Sequence, residues 1–423
     1  MTEFQNLDET NEMVRRFGAD RVTQQAGLAQ YLFALPMPSE EYVDPPPAKS
    51  RMTRPIPVVR ARGVDRINVM NGAPGNLGVA TSGGARFSAS SVKKFTGRKD
   101  PLPLAQTLVF SIEEYEVMQG DQAVDAVLKV LDAGGANFGQ YMARSFANPQ
   151  VDEPATDVAD TATSMDVAVM NGWWPGQTYE VVDDATGAIV GRLRPSDVVP
   201  NFDGGATISF DTDNGQLGFD IDVSAQSIYL LGQGDEDRRI GSIADATDST
   251  VDLYDIDQER FPAGLRQSLA GAFSKVDGRR LCSMVFTASR RYPTHWITSP
   301  IGRDGIVNDQ IDQVRFVAGQ SDDAAMDPYA DAMTPLFNGL PIIGEPVYDD
   351  DVIDLVHADH VMLRENWAFR PRSPDGSAAS GSGRNVLVLD HDNLAANAYF
   401  DGGYSVVFDQ RRCHARFTDV STT

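Results

Sequence analysis

The basic segment of residues 51–99 places the strongest constraint on the fold. It carries ten Lys and Arg residues against one acid, Asp65, in a chain of 423 residues whose formal net charge is −24. Its two ends, "PIPVVRARG" and "ARFSASSVKKFTG", alternate as strands do, and "NGAPGNLGVATSGG" between them predicts the turn of a long hairpin. Such a hairpin has few large apolar side chains to bury, so we expect it to need a partner surface.

Three interpretations of this segment are open: a solvated loop, an RNA-binding patch, or an arm that lies across the acidic surface of a neighbouring copy. Phe87 and Phe95 are the aromatic residues available for base stacking, which disfavours RNA. The third interpretation assigns inter-subunit contacts to seven cations: Arg54, Arg60, Arg62, Arg66, Arg86, Lys93 and Lys94.

The composition predicts a folded, acidic protein without a membrane segment. A length of 423 residues predicts two or three subdomains, and a net charge of −24 argues against nonspecific binding to nucleic acid or anionic membranes. Cys282 and Cys413 are too few for a disulfide scaffold and fit a reduced compartment. The start "MTEFQNLDET" is not a secretory signal, and no run reaches the roughly 20 apolar residues of a membrane helix. We therefore expect synthesis in the cytoplasm.

Two segments have the residue spacing of amphipathic helices. The first prediction is a helix over residues 111–147, which begins at a capping box of Ser111 and Glu114. The second prediction is a helix over residues 258–278, in which three apolar residues are spaced by four. These apolar residues are Leu265, Leu269 and Phe273.

The region between these helices is predicted to be rich in β-strands. From Met165 to Tyr229 the sequence contains two candidate hairpins, "QTYEVVDDATGAIVGRLRP" and "ATISFDTDNGQLGFDIDV". Their Gly and Asp content and small size predict an inserted subdomain rather than the main core.

The segment "HADH" is the strongest candidate metal site. His357 and His360 are three residues apart, and Asp350, Asp351 and Asp354 precede them. On a helix this spacing places both imidazoles on one face. The surrounding Val, Ile, Leu and Met residues predict a strand instead, where a period of two sends them to opposite faces. A metal site is therefore disfavoured.

Two other stretches resemble ligand-binding loops only in part. "DTDNGQLGFDID" has its Gly one position too early for a calcium loop and lacks the closing Glu, so an Asn-Gly turn explains it more simply. "GAPGNLG" lacks the Lys-Ser/Thr of a phosphate loop. We expect no enzyme activity and no cofactor, because no catalytic set of residues stands out.

Four stretches carry a resemblance to one family. "LFNGLPIIGEP" is similar to the family segment (F/L)-x-G-(I/L/Y)-P-V-V, and "ADHVML" resembles the short strand after it. "YSVVFDQRRCHARFTDV" is similar to the closing strands, and "GGARFSASSVKKFTGRKDPLPLAQTLVFSIEEYEVMQGDQAVDAVLKVL" resembles the return of an extended hairpin into a long helix. On these stretches the chain resembles the major capsid (coat) protein of tailed double-stranded DNA bacteriophages.

The resemblance implies an α+β fold of the tailed-phage major capsid type. It also implies that Phe337, Asn338, Gly339 and Pro341 form the turn from the axial to the peripheral domain. The implied divisions are an N-terminal arm (1–50), an extended-loop (E-loop) hairpin (51–103), the first part of the peripheral (P) domain (104–164) with a spine helix (111–147), a β-rich insertion (165–235), an axial (A) domain (236–345) and strands that complete the P-domain (346–423).

The implied function is self-assembly into the pentamers and hexamers of an icosahedral shell, which encloses packaged double-stranded DNA without reading its sequence. Implied partners are a scaffolding protein, a portal protein and a decoration protein, with no membrane. The implied location is the virion capsid, after assembly in the host cytoplasm. Two alternatives stay open: a cellular nanocompartment or gene-transfer particle of the same fold, and a metal-dependent enzyme that uses His357 and His360.

Overall fold

The fold is described from a computed structural model of the chain. The described residues are 33–34, 56–60, 66–70, 94–98, 102–111, 121–201, 204–211, 216–234, 239–309, 315–318, 333–372, 387–390 and 395–421. The α-helices among them are α1 (Asp121–Ala147), α2 (Ile243–Thr247), α3 (Lys275–Ser289) and α4 (Pro300–Asp309). Two 3-10 turns span Ala358–His360 and Arg411–Cys413. No described helix has the length and apolar character needed to cross a membrane.

The strands complete an α+β fold, as predicted. They are β1 (Phe33–Ala34), β2 (Ile56–Arg60), β3 (Arg66–Met70), β4 (Lys94–Arg98), β5 (Leu102–Ser111), β6 (Ser164–Val167), β7 (Tyr179–Asp183), β8 (Ile189–Leu193), β9 (Pro195–Pro200), β10 (Ala206–Phe210), β11 (Gln226–Leu230), β12 (Leu265–Ala272), β13 (His295–Thr298), β14 (Arg315–Ala318), β15 (Met333–Phe337), β16 (Leu340–Gly344), β17 (Ile353–Val356), β18 (Val361–Arg372), β19 (Leu387–Asp390), β20 (Ala395–Phe408) and β21 (Ala415–Ser421).

The chain divides into two compact units. The first takes in the described parts of Met1–Val64, Pro101–Ala143 and Leu363–Ser405. The second takes in the described parts of Asp65–Asp100, Arg144–Met362 and Val406–Thr423. Each unit therefore combines segments that are far apart in sequence.

The first unit is built on a sheet with the strand order β1-β2-β18-β20-β19, and β5 also pairs with β20. The β5–β20 ladder is antiparallel and runs from Leu102 opposite Tyr404 to Ser111 opposite Ala395. Ser111 thus ends a strand, and the described helix α1 spans Asp121–Ala147. Residues 112–120, where the capping box is predicted to start the helix, lie outside the described residues. The helix ends at the predicted residue.

The pairing of the predicted hairpin over residues 51–103 needs a correction. The strand "PIPVVRARG" contributes β2, which lies parallel to β18 with Val58 opposite Leu363. The antiparallel ribbon is instead formed by β3 and β4, with Arg66 opposite Arg98. An apolar run such as "IPVV" suits a strand inside a sheet, and the neighbouring "RINVM" takes its predicted place beside β4. The glycine-rich turn between β3 and β4 lies outside the described residues.

The predicted β-rich insertion consists of two three-stranded antiparallel sheets, β6-β10-β9 and β11-β7-β8. The first predicted hairpin is confirmed as β7–β8. The second is wrong, because β10 pairs with β6 and β9, while Ile221 forms a bridge with Val158. Tyr179 is fully buried in this part, where its hydroxyl donates to the Gly172 carbonyl (2.8 Å). The two small sheets thus have their own core.

The second unit is built on a seven-stranded sheet with the order β12-β21-β17-β13-β16-β15-β14. The helix predicted over residues 258–278 is wrong, because Leu265–Ala272 forms β12, parallel to β21. Along β12 half-buried and exposed residues alternate. A spacing of four places residues on one face of a strand as well as near one face of a helix, so the pattern is ambiguous. Helix α3 starts later, where the Ser274 hydroxyl caps the Asp277 amide.

The domain boundary predicted at residue 345 also needs a correction, since it lies inside this sheet. Strand β13 pairs with β16 on one side and with β17 on the other. The C-terminal β21 pairs with β17 and β12. Segments 236–345 and 346–423 therefore share one sheet, and β17 and β21 belong with the strands predicted as axial.

Phe273 is the centre of the core on this sheet. Its ring is 5.9 Å from Trp296, 5.6 Å from Phe337 and 6.0 Å from Phe417, each in an edge-to-face arrangement. These contacts join the end of β12 to β13, β15 and β21. Edge-to-face pairs add about 0.5–1.5 kcal/mol each to the burial of apolar area. The cluster therefore holds four strands in one arrangement.

Candidate assembly site

Three of the seven predicted inter-subunit cations lie in described strands. Arg66 and Lys94 lie in the β3–β4 ribbon. Arg60 lies at the end of β2, in register with Glu365 of β18. The cations outside the described residues are Arg54, Arg62, Arg86 and Lys93.

The register of the β3–β4 ribbon pairs two arginines with each other. Arg66 faces Arg98 across the ladder, and Lys94 faces Met70 at its other end. Among the described strands, β3 and β4 pair only with each other. Opposed like charges destabilise a ladder, and a two-stranded ribbon is marginally stable in water. An acidic surface that binds both arginines would remove the first of these costs.

The predicted turn residues form a two-residue hairpin turn between β15 and β16. Asn338 and Gly339 have φ angles of 53° and 80°. Positive φ at both positions is typical of a type I′ turn, which Asn-Gly favours. Phe337 is buried below the turn and Pro341 lies opposite Leu336. The turn itself is as predicted. Both of its strands belong to one sheet, so the implied role of these residues as the turn from the axial to the peripheral domain is corrected.

Asp354 and Arg416 form a buried ion pair at the centre of the seven-stranded sheet. The guanidinium binds the carboxylate through two hydrogen bonds, Nε to Oδ1 and Nη2 to Oδ2, each 2.7 Å long. Nη2 also donates to the carbonyl of Ala147, the last residue of α1 (2.7 Å). Both side chains are at most 3% exposed. The pair therefore links β17, β21 and the end of α1 where water cannot replace it.

A second buried arginine, Arg144, lies one turn earlier in α1. It donates to the carbonyls of Val347 (3.1 Å) and Gln150 (2.7 Å) and forms an ion pair with Asp349. Gly172 lies against it with a φ of 92°, and a Cβ there would lie 2.8 Å from Nε of Arg144. The side chain thus joins three separate loops, and glycine is needed for the closest of them.

A third buried arginine, Arg411, is held by backbone carbonyls alone. It donates to five of them at 2.6–3.3 Å, and the five residues are Asp245, Ala246, Asp248, Val251 and Phe261. Burial lowers the pKa of its guanidinium to about 10. Arg411 closes the end of α2 and the loop after it, immediately before β21 begins. It lies in the stretch "YSVVFDQRRCHARFTDV", which is similar to the closing strands of the capsid family.

The structure gathers four of the five histidines near one another. A 3-10 turn, not a strand, contains Ala358–His360, and the rings of His357 and His360 lie 4.7 Å apart. The expectation that they point to opposite faces is therefore wrong. His360 Nδ1 lies 2.6 Å from Asp409 Oδ1, and the backbone amide of His357 donates to His414 Nδ1 at 3.4 Å. Within the described residues no group of three or more ligand-type side chains could hold a metal ion.

Burial favours the neutral form of three of these histidines, His295, His357 and His414. It lowers the pKa of His414 to about 3, and His360 and His357 act in the same direction. Burial also lowers the pKa of His295 to about 4 and the pKa of His357 below its usual value, with a neighbouring histidine contributing to each. These three side chains therefore resist protonation.

Sequence reasoning missed the buried arginines and their partners, although a signal was present. "VIDLV" places one acid in an apolar strand, and "HARFT" places one arginine in another. A lone charge inside a buried strand needs a partner of opposite charge. Asp354 was considered only as a metal ligand, yet the structure pairs it with Arg416.

Comparisons with known proteins give structural similarity only. No family model matches the sequence, and no curated protein matches it. The structure titled "Cyanophage A-1(L) capsid asymmetric unit" is similar at 12% identity and a TM-score of 0.44, over 86% of this chain and 90% of that chain. The chain is similar to a phage capsid structure.

Two further structures are similar over comparable lengths. One is named "Mycobacterium phage Adephagia", with 10% identity and a TM-score of 0.41, over 86% of this chain and 89% of that chain. The other is the holo-SrpI encapsulin complex from Synechococcus elongatus PCC 7942, with 7% identity and a TM-score of 0.38, over 86% and 85%. The sequence motifs resemble the tailed-phage major capsid family.

The first prediction concerns the buried ion pair. Asp354→Ala leaves the Arg416 guanidinium buried without its carboxylate and should lower the free energy of unfolding by about 3–5 kcal/mol. The matched control is Asp257→Ala, which removes an acid 3.9 Å from Arg260 in a pair whose side chains are 71% and 64% exposed. The control should change stability by about 0.5 kcal/mol or less. Urea unfolding measures both, and equal losses would refute the role of the pair.

The second prediction concerns pH. The folded pKa of His414 is about 3, and an unfolded histidine titrates at about 6.5, so between these values the unfolded chain binds the extra proton. Stability should therefore fall as the pH drops below about 6.5. His414→Gln removes one titrating group and should reduce the slope of unfolding free energy against pH by about 1.4 kcal/mol per pH unit between pH 4 and 6. Identical slopes for both proteins would contradict this account.

Proposed function

We propose that this chain is the major capsid protein of a tailed-phage-type shell and that its function is assembly rather than catalysis. Copies form pentamers and hexamers, and these close into an icosahedral shell around packaged double-stranded DNA. The residues that resemble the capsid family span most of the chain from the basic segment onward. The proposal rests on that resemblance and on our expectation that the β3–β4 ribbon is stabilised by a neighbouring copy.

The observation that carries the proposal is the unfavourable charge arrangement of the β3–β4 ribbon. Arg66 and Arg98 occupy directly opposed positions of a ladder that has no third described strand. The remainder of the chain is strongly acidic, since 60 acids and 36 bases give a net charge of −24. Another copy of the chain is therefore the obvious source of an acidic surface for the ribbon, and its binding would orient the two copies.

Net charge also suits a container for DNA. A wall with a charge of −24 per copy repels a polyanion, so densely packed DNA would not adhere to it through sequence-independent contacts. We propose that a scaffolding protein guides assembly and that a portal protein, with or without a decoration protein, completes the particle. Assembly would take place in the host cytoplasm and the product would be the virion capsid.

A nanocompartment or gene-transfer particle is the alternative within the same architecture. It differs in cargo rather than in fold, so the nucleic acid and protein content of purified particles separates the two. Packaged DNA supports a capsid or gene-transfer particle, and an enclosed enzyme supports a nanocompartment.

The third prediction tests the ribbon. Purified wild-type protein should form closed shells or capsomers in electron micrographs, and Arg66→Glu should abolish them. The substitution places opposite charges across the β3–β4 ladder, so it should stabilise the ribbon itself. Loss of assembly would then report the lost contact with a neighbour, not an unfolded ribbon.

Arg66→Gln serves as the matched variant, because it removes the repulsion without reversing the charge. It should assemble only at higher protein concentration than the wild type. Circular dichroism verifies that all three proteins are folded. A wild-type protein that stays monomeric at every concentration and salt condition would overturn the proposed function. Normal shells from Arg66→Glu would overturn the role of the ribbon.

A further inference from the structure

We infer that the outward face of α3 binds the acidic segment 151–230 of a second copy of this chain. The inference rests on the proposed assembly function and identifies a contact for it that is distinct from the ribbon. The α3 face consists of Val276, Arg280, Phe286, Arg290, Arg291 and Tyr292, from the helix and the turn that follows it.

Helix α3 is anchored on one side only. Leu281, Cys282 and Val285 face the seven-stranded sheet and are at most 2% exposed. Gly278 belongs to the same side, where a Cβ would come within 2.6 Å of the Phe273 and Phe337 rings. The packing therefore fixes the rotation of the helix and determines which residues point away from the sheet.

The outward side presents large apolar groups to solvent. Val276 is 68% exposed, Phe286 is 38% exposed and Tyr292 is 57% exposed. The Phe286 and Tyr292 rings pack against each other with centroids 4.8 Å apart. Aromatic and Arg side chains are the residues most enriched at the energetic centres of protein interfaces. The composition of the α3 face matches that of such a centre.

The cations of this face have no acidic partner in the described part of the chain. The side chains of Arg280, Arg290 and Arg291 are exposed, and none forms a hydrogen bond or ion pair with another described residue. Asp277 is the one acid of α3, and its carboxylate binds the Ser274 hydroxyl. A positive, partly apolar surface is unusual on a chain with a net charge of −24.

The complementary surface is present on the same chain. Residues 151–230 contain fourteen Asp and Glu against two Arg and no Lys, so this fifth of the sequence carries half of the net charge of −24. Many of these acids are exposed, among them Asp160, Asp184, Asp197 and Asp222. The two arginines are already engaged, Arg192 with Glu180 and Arg194 with Asp211. The excess of negative charge is therefore available to a partner.

A second copy of the chain is the partner that the basic α3 face and the acidic segment 151–230 both favour. Each copy carries one basic face and one acidic segment. A contact between two copies uses the basic face of one and the acidic segment of the other, so the pair still has one basic face and one acidic segment free. Head-to-tail contacts of this kind close into rings when the rotation between copies permits. Charge complementarity also selects orientation and excludes like-charged encounters. The contact would thus determine the relative orientation of neighbouring copies around a capsomer.

The test reverses charges on each side separately. Arg280→Glu with Arg291→Glu should raise the protein concentration needed for assembly by about tenfold or more. Asp160→Lys with Asp184→Lys should have the same effect, since neither carboxylate holds a hydrogen bond among the described residues. The control is Arg260→Glu, which reverses an exposed arginine that is not among the residues of the α3 face. Sedimentation velocity across a salt series measures assembly of the full-length proteins.

Mixing the two reversed proteins is the decisive step. In an alternating ring of six copies each reversed face meets a reversed segment, so the equimolar mixture should form hexamers although neither variant does so alone. A ring of five copies cannot alternate, so pentamers are not expected from the mixture. One chain with all four substitutions should also recover assembly. Recovery cannot come from a general repair of folding, because the reversed positions are far apart in sequence and each variant is verified to be folded by circular dichroism.

Several results would overturn the inference. Unaltered assembly of the α3 variant, or failure of the mixture to form hexamers when both variants are folded, would remove the proposed contact while leaving the assembly function intact. A lowered affinity for duplex DNA in the α3 variant, together with normal assembly, would assign these arginines to nucleic acid instead. A wild-type protein that never assembles would remove the proposed function, and this inference with it.

Discussion

The buried ion pair between Asp354 and Arg416 is the interaction on which the second unit depends. Both charges are almost inaccessible to water, so they must pair with each other, and their remaining donors and acceptors must form hydrogen bonds within the protein. Few arrangements of the surrounding strands meet this requirement. The guanidinium meets this requirement through a bidentate contact and the Ala147 carbonyl. Arg144 and Arg411 act in the same manner on neighbouring loops. Three arginines thus organise the segments around the seven-stranded sheet.

Many charges outside this core are grouped by sign along the chain, in addition to the exposed ion pairs that also occur. Cations are concentrated on the β3–β4 ribbon and on the outward side of α3, while acids are concentrated in residues 151–230. Surface ion pairs within one chain contribute little stability, so this segregation has little value for a monomer. The same segregation of charge would favour one relative orientation when two copies of the chain associate. The same reasoning accounts for apolar groups such as Val276 and Tyr292 that stay exposed in a single chain.

How much the sequence predicts depends on whether a pattern is local. The Asn338-Gly339 turn and the β7–β8 hairpin follow from adjacent residues, and both are found. The strand Leu265–Ala272 was predicted as a helix, since a spacing of four suits both structures and only its pairing with β21 decides between them. Contacts between distant residues, including Asp354 with Arg416, could not be assigned from spacing alone.

The central claim is that the β3–β4 ribbon is completed by another copy of the chain. Hydrogen–deuterium exchange of the isolated and the assembled protein tests it most directly, with peptides that cover β3 and β4. Amides of a marginal two-stranded ribbon should exchange rapidly in the isolated chain and become strongly protected on assembly, while amides of the seven-stranded sheet stay protected in both. Equal protection of β3 and β4 in both states would contradict the account.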